Sequence, residues 1–304
     1  TLFSIAIPVT IGASMMPIVN LVDASLVVNR LTHIGYELKN AREMYGVLTG
    51  MVNTMVNMPA VITLSFSMSL VPAVSSALTK KDQQGLQRMI STGLKLALMI
   101  GSAAAVGMGL LSHQILRLLY ASQPENCLEL GGQLLAIMSV GVLFLAVVQT
   151  TTGMLQGLGK PSYPVKTLLV GIVAKTVLNY VLIGIPQINV LGAAIATVVC
   201  YAIAALGNVY MVLKLSKTKL KPVDALVRPA LAAGGMGAAV WGFVRLMGGR
   251  LGNTMLTLGA VCLGVLVYVV LAFVLRALSK EDLALIPGGR RVARLMDKLG
   301  GKKA

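Results

Sequence analysis

Three stretches of this chain, Ile5–Val22, Tyr45–Leu78 and Leu130–Gly159, contain no Lys, Arg, Asp or Glu at all. About 20 apolar residues in helical form cross the roughly 30 Å hydrocarbon core of a bilayer, so runs of this kind read as transmembrane helices. Composition agrees, because 56% of the 304 residues are hydrophobic and only 12% are charged. A water-soluble exterior demands more charge than that. Strand alternation is absent, which argues against an outer-membrane barrel. The expected fold is therefore all-α, a polytopic membrane bundle of about eight helices.

The spans are expected over Leu2–Val28, Tyr45–Ala77 with a kink at Pro59, Met89–Leu111, Leu130–Thr151, Val165–Ile185, Val190–Leu213, Pro229–Met247 and Thr254–Leu275. Loop charge orients them. Lys80, Lys81, Arg88, Lys160, Lys166, the basic residues from Lys214 to Arg228 and the tail from Arg276 to Lys303 fall on one side. Arg30, Lys39, Arg42, Arg117, Arg245 and Arg250 fall on the other. The richer side is read as cytoplasmic, with both termini there. The net charge of +16 is thus topological and directed at anionic lipid, and no nucleic-acid partner is implied. The first residue is Thr1, it enters an apolar run at once, and no signal-peptide pattern precedes it, so the sequence reads as a piece of a longer protein.

Two segments outside the spans carry their own pattern. Ile115–Tyr120 reads as a short amphipathic piece in the outer interface. In the tail, Val292, Leu295, Met296 and Leu299 share one helical face and Arg290, Arg291, Arg294 and Lys298 the other, which suits a helix held to anionic lipid. Cys127, Cys200 and Cys262 are scattered, so neither a metal site nor a disulfide framework follows.

Ionisable groups inside a membrane are costly and call for a reason. Asn20, Asp23 and Arg30 project to one side of the first helix, and Thr49, Asn53, Asn57 and Ser67 form a stripe on the second. Two neighbouring polar stripes point to a shared hydrated cavity, although Asn and Ser also serve as interhelical glue and Asp23 and Arg30 would be within reach of a mutual ion pair. Lys175 and Lys95 read as snorkelling or paired, with substrate phosphate as the other reading for Lys175. Gly153 and Gly157 form a GxxxG explained by close helix packing. His33 and His113 stand apart from any base or nucleophile, so a membrane-embedded glycosyl- or acyltransferase is disfavoured and no enzyme is expected.

From Gln149 the chain reads Gln-Thr-Thr-Thr-Gly-Met-Leu-Gln-Gly-Leu-Gly-Lys-Pro-Ser-Tyr-Pro-Val to Val165, and from Leu178 it reads Leu-Asn-Tyr-Val-Leu-Ile-Gly-Ile-Pro-Gln-Ile-Asn-Val-Leu-Gly-Ala-Ala-Ile-Ala-Thr to Thr197. These runs resemble the helix ten to twelve region of polysaccharide flippases in the multidrug/oligosaccharidyl-lipid/polysaccharide (MOP) exporter superfamily, which is MATE-like in fold. Val71–Asp82 resembles the close of that family's helix eight, and Ala6–Gly12 the opening of its helix seven. Within the superfamily the likeness is to stage V sporulation protein B and its relatives, near the lipid II flippases.

The resemblance implies fourteen helices in two six-helix lobes plus an appended pair. Residues 1–213 would be the second lobe, 214–278 the appended pair, and 279–304 the basic cytoplasmic tail. It implies a flippase moving a lipid-linked oligosaccharide or polysaccharide precursor across the bacterial inner membrane by alternating access, without a cofactor and coupled to Na⁺, H⁺ or membrane potential. The first lobe is missing and would be supplied in cis or in trans. In such a carrier helices one, two, seven and eight line the cavity, and the last two of these hold Asn20, Asp23, Arg30, Thr49, Asn53 and Asn57. Arg30 would attract a pyrophosphate and Asp23 would meet sugar hydroxyls or a cation. The rival readings are a MATE-type multidrug or cation antiporter and a non-transporting scaffold for cell-envelope synthesis.

Overall fold

Inside a bilayer no water can satisfy backbone N–H and C=O groups, so each apolar run must close its hydrogen bonds within itself as helix. A computed structural model describes residues 20–218 and 223–275, and among these it contains helices and no strand. In chain order they are α1 (20–33), α2 (Leu38–Thr79), α3 (Gln83–Leu110), the short α4 (Ser112–Leu119), α5 (Glu125–Gly157), α6 (Ser162–Ile183), α7 (Leu191–Ser216), α8 (Val223–Met247) and α9 (Asn253–Val274). Seven of these described helices, all but α1 and α4, are long and apolar enough to cross a membrane. The expected start of the first span at Leu2 and the basic tail helix lie outside the described residues.

Helix ends run further than the apolar pattern suggests. The α2 helix begins at Leu38, and α5 begins at Glu125. In these first turns the charges ride on the outer face: Lys39, Arg42 and Glu43 are exposed while Ala41 is buried, and Glu125 and Glu129 are exposed while Cys127 and Leu128 are buried. A charged residue thus ends an apolar run without ending the helix. Pro59 and Pro72 sit inside α2, which continues unbroken through both. Its irregular stretch is a π-helical turn at Val47–Val52, about two turns ahead of Pro59. The Ile115–Tyr120 piece covers the second half of α4 and its C-cap Tyr120, with Leu116 buried and Arg117 exposed and bonded to Glu125.

The corners use local chemistry. Lys81 takes a positive φ of 55°, and the Asp82 carboxylate then caps α3 by accepting from the Gly85 N–H at 2.9 Å. Removing that cap in Asp82→Ala is expected to cost about 1 kcal/mol, read as a lower thermal midpoint in detergent with the fold retained. Between α5 and α6, Gly159 holds a φ of 72°, where a side chain would be strained.

Helix α5 is the middle of the bundle, packed by α2, α3, α4 and α7, while α6 lies outside it against α7. Close approach along α2 comes from small residues. Gly153 faces the Ser67 backbone, and Gly157 faces Val71 and Val74. Ser67 Oγ donates to the Gln149 carbonyl at 2.6 Å, and Thr63 Oγ1 bonds the Gln149 amide oxygen. The GxxxG is therefore a packing seam, and Ser67 belongs to that seam. Leu134, Leu135, Met138, Met154 and Leu155 of α5 are almost wholly buried. By contrast Val170, Val173, Val177 and Val181 expose one stripe of α6, an apolar face suited to lipid. The last two helices pack on each other and on α3, where Tyr268 Oη donates to the Met99 carbonyl at 2.7 Å.

Candidate functional site

A cavity of about 500 Å³ opens between α1, α2, α6 and α7. One wall is the polar face of α2, with Tyr45, Thr49, Asn53 and Asn57. They are spaced by four, and the wider π turn at Val47–Val52 brings Tyr45 and Thr49 round to the side of Asn53 and Asn57. Asn57 is exposed and Asn53 half-buried, so these amides face open space. Asn20 and Asp23 of α1 join them, with Tyr45 Oη donating to the Asn20 carbonyl at 3.4 Å. The opposite wall is Lys175 and Asn179 of α6 and Ala193, Thr197, Cys200 and Tyr201 of α7.

The centre of the site is charged and nearly closed to solvent. Lys175 Nζ bonds Asp23 Oδ2, and the two side chains are 15% and 11% exposed. Asn179 Nδ2 donates to Asp23 Oδ1 at 3.1 Å. A carboxylate can only accept, so the amide nitrogen must face it, and the amide oxygen faces away. That oxygen, Asn179 Oδ1, is buried without a hydrogen-bond partner. Gly171 lets α6 approach the Cys200 carbonyl closely, which helps hold Lys175 and Asn179 against α1.

Of the six residues singled out from sequence, Asn20, Asp23, Thr49, Asn53 and Asn57 come together on this cavity. Arg30 does not. It shares one side of α1 with Asp23, but seven residues of helix carry it about 10 Å along the axis. There its Nε donates to the Tyr180 carbonyl at 3.1 Å and its guanidinium lies 4.3 Å from the Tyr180 ring centroid. It also lies against Gly184, so it neutralises the carbonyl end of α6. It borders a separate open groove with Leu21, Asn29 and His33. The mutual Asp23–Arg30 pair is corrected accordingly: the partner of Asp23 is Lys175. Thr197, Cys200 and Tyr201 carry no charge pattern in the sequence, and only the proximity of Lys175 to Asn179 on one face of the fifth predicted helix hinted at that wall. Among the described residues no cluster of three or more His, Cys, Asp or Glu could hold a metal ion. His113 packs beside Gly132 of α5, and His33 lines the groove.

Residues 48–181 match the MatE family. The chain is 27% identical over 211 residues to the lipid II flippase MurJ of Bacillus subtilis (strain 168), covering 69% of this chain and 38% of that protein. It is 24% identical over 289 residues to stage V sporulation protein B of the same organism, covering 94% of this chain and 54% of that one. The chain thus spans only about half the length of these curated relatives, or less. Its fold matches a multidrug resistance MATE family transporter of the MOP superfamily in an outward-facing conformation, with a TM-score of 0.57, 17% identity, and coverage of 94% of this chain and 66% of that one.

Proposed function

Starting from a MATE-like, multi-pass membrane chain related to MOP superfamily transporters, we propose that it forms one half of a flippase for a lipid-linked oligosaccharide. The observation that carries this reading is the amide and hydroxyl face of Asn20, Thr49, Asn53 and Asn57 beside a charge-balanced Asp23–Lys175 pair. Such a wall offers paired donors and acceptors to sugar hydroxyls, and a site built to bond hydroxyls rejects ligands that lack them. It holds no unpaired carboxylate among the described residues to attract a cationic drug.

In this reading the lobe ends near residue 213, the α8–α9 pair is appended, and the remaining length of the relatives holds the opposing lobe. Alternating access is then rocking of one lobe against the other about the cavity. The chain would sit in the bacterial inner membrane with basic loops and tail toward anionic cytoplasmic lipid. It transports and catalyses no covalent step. Arg30 would meet an anion at the side groove rather than deep in the cavity.

The test is flipping of a fluorescent lipid-linked oligosaccharide by the full-length protein in liposomes. Asn53→Leu/Asn57→Leu is expected to slow flipping about tenfold or more while leaving the thermal midpoint near that of the wild type, since neither amide is fully buried. Wild-type protein that moves no lipid-linked sugar but exports cationic dyes would give the site to an antiporter.

A further inference from the structure

One face of α1 grades from apolar to basic along a groove of about 710 Å³. Leu21 and Val22 lie at one end, Ser25 and Asn29 follow, and Arg30 and His33 stand at the other, beside the α1–α2 turn. Positions 22, 25, 29 and 33 are three or four apart, so they share one side of the helix. The twelve steps from Leu21 to His33 rise about 18 Å. Half of a hydrocarbon core is about 15 Å, so the groove runs the depth of one bilayer leaflet. Its far wall is Tyr180 of α6. Tyr180 continues Val173 and Val177 at the helical spacing, and all three are more than half exposed, so the lipid-facing stripe of α6 runs into the groove.

Arg30 brings a charge to this groove without a matching anion. Its Nε is taken up by the Tyr180 carbonyl, and the guanidinium lies over the Tyr180 ring. Gly184 makes room for it, since a Cβ there would stand 2.5 Å from Nη2. Among the described residues no carboxylate pairs with Arg30. The carbonyl end of α6 supplies about half a negative charge, which leaves the rest unmatched. A guanidinium holds five donors in a fixed fork and keeps its charge, so four N–H groups remain to meet an oxyanion.

We propose that this groove binds one anionic membrane phospholipid, its phosphate on Arg30 and His33 and an acyl chain laid along Ser25, Val22 and Leu21. The ligand must be charged at one end and apolar over the depth of a leaflet, which is the shape of a lipid and not of a free anion. Among the described residues no acidic side chain lines the groove, so a zwitterionic headgroup would find a partner for its phosphate and none for its ammonium. Continuity with the exposed face of α6 lets a lipid enter sideways without leaving the bilayer. No residue lines both this groove and the cavity of the Asp23–Lys175 pair, so the proposal does not depend on the cargo. It makes the anion at Arg30 a membrane lipid, and it ties the end of α1 to α6 through one guanidinium.

The test follows the thermal midpoint of the full-length protein in detergent as dioleoylphosphatidylglycerol is added, beside dioleoylphosphatidylcholine and inorganic phosphate. In the wild type, phosphatidylglycerol is expected to raise the midpoint at about tenfold lower concentration than phosphatidylcholine, and inorganic phosphate to leave it unchanged. Arg30→Gln is expected to need about tenfold more phosphatidylglycerol and to lose the preference. Gly184→Ala keeps the charge but pushes the guanidinium aside, and its response should fall between the two. Should Arg30→Gln misfold, Ser25→Trp decides. Ser25 is exposed, so an indole there fills the groove while leaving Arg30 in place, and the phosphatidylglycerol effect should weaken likewise. Equal response to both phospholipids, or a phosphatidylglycerol titration unchanged in Ser25→Trp, overturns the proposal. An equal effect of inorganic phosphate also overturns it, by leaving an anion on Arg30 with no chain in the groove. If Ser25→Trp lowers the midpoint without added lipid and titrates as the wild type does, the opposing lobe fills the groove and lipid does not.

Discussion

Gly153→Val is expected to lower the thermal midpoint of the detergent-solubilised full-length protein more than any other single change along the α2–α5 seam. A Cβ at position 153 would stand 2.5 Å from the Ser67 carbonyl oxygen, and at Gly157 one would stand 2.8 Å from the Val71 carbonyl oxygen. Backbone cannot rotate aside, so the two helices must separate. Overpacking of this kind costs about 1–3 kcal/mol. Separation also loosens the Ser67 and Thr63 bonds to Gln149, each worth about 0.6 kcal/mol in a membrane protein. The sum is about 3 kcal/mol. Gly234 is the control, since a Cβ there meets nothing within 4 Å, and Gly234→Ala is expected to be neutral or mildly stabilising. Equal loss in Gly153→Val and Gly234→Ala would mean that the seam is not what holds α2 to α5.

The second large effect is the asymmetry between breaking the Asp23–Lys175 pair and replacing it. Lys175→Met leaves a buried carboxylate with only Asn179 to satisfy it, and a broken buried pair typically costs about 3–5 kcal/mol. The double variant Asp23→Asn/Lys175→Met removes both charges and is expected to recover most of that loss in a thermal melt. Asp23→Asn alone should fall between them, because its stranded ammonium reaches cavity water. A double variant no more stable than Lys175→Met would show that the pair is not energetically coupled.

The spans were legible in the sequence because the bilayer leaves a charge-free run few alternatives to helix. Their ends were not, because Lys39, Arg42 and Glu125 are helical residues that reach solvent by facing outward. The α2 wall of the cavity was legible for a related reason: Thr49, Asn53 and Asn57 repeat at the helical period within one element. The partner of Asp23 was not, since Lys175 lies 152 residues away on α6 and a single-helix projection carries no information about which helix comes to face it. Arg30 shows the complementary limit. A projection compares angles and discards depth, so a residue on the favoured side of α1 still ended at the Tyr180 carbonyl, outside the cavity.

The π turn at Val47–Val52 has a consequence for how sequences are aligned through α2. Such a turn is a helix that has taken in one additional residue without becoming a loop. Everything on its N-terminal side, Tyr45 included, is thereby rotated by about 100° relative to an uninterrupted helix running back from Asn53. Tyr45 reaches the cavity with that offset in place. A relative with one residue fewer between Tyr45 and Asn53, and a regular α-helix there, would therefore present the same letters on the same side. Only an alignment that opens a one-residue gap here would then match the side chains that face the cavity in both.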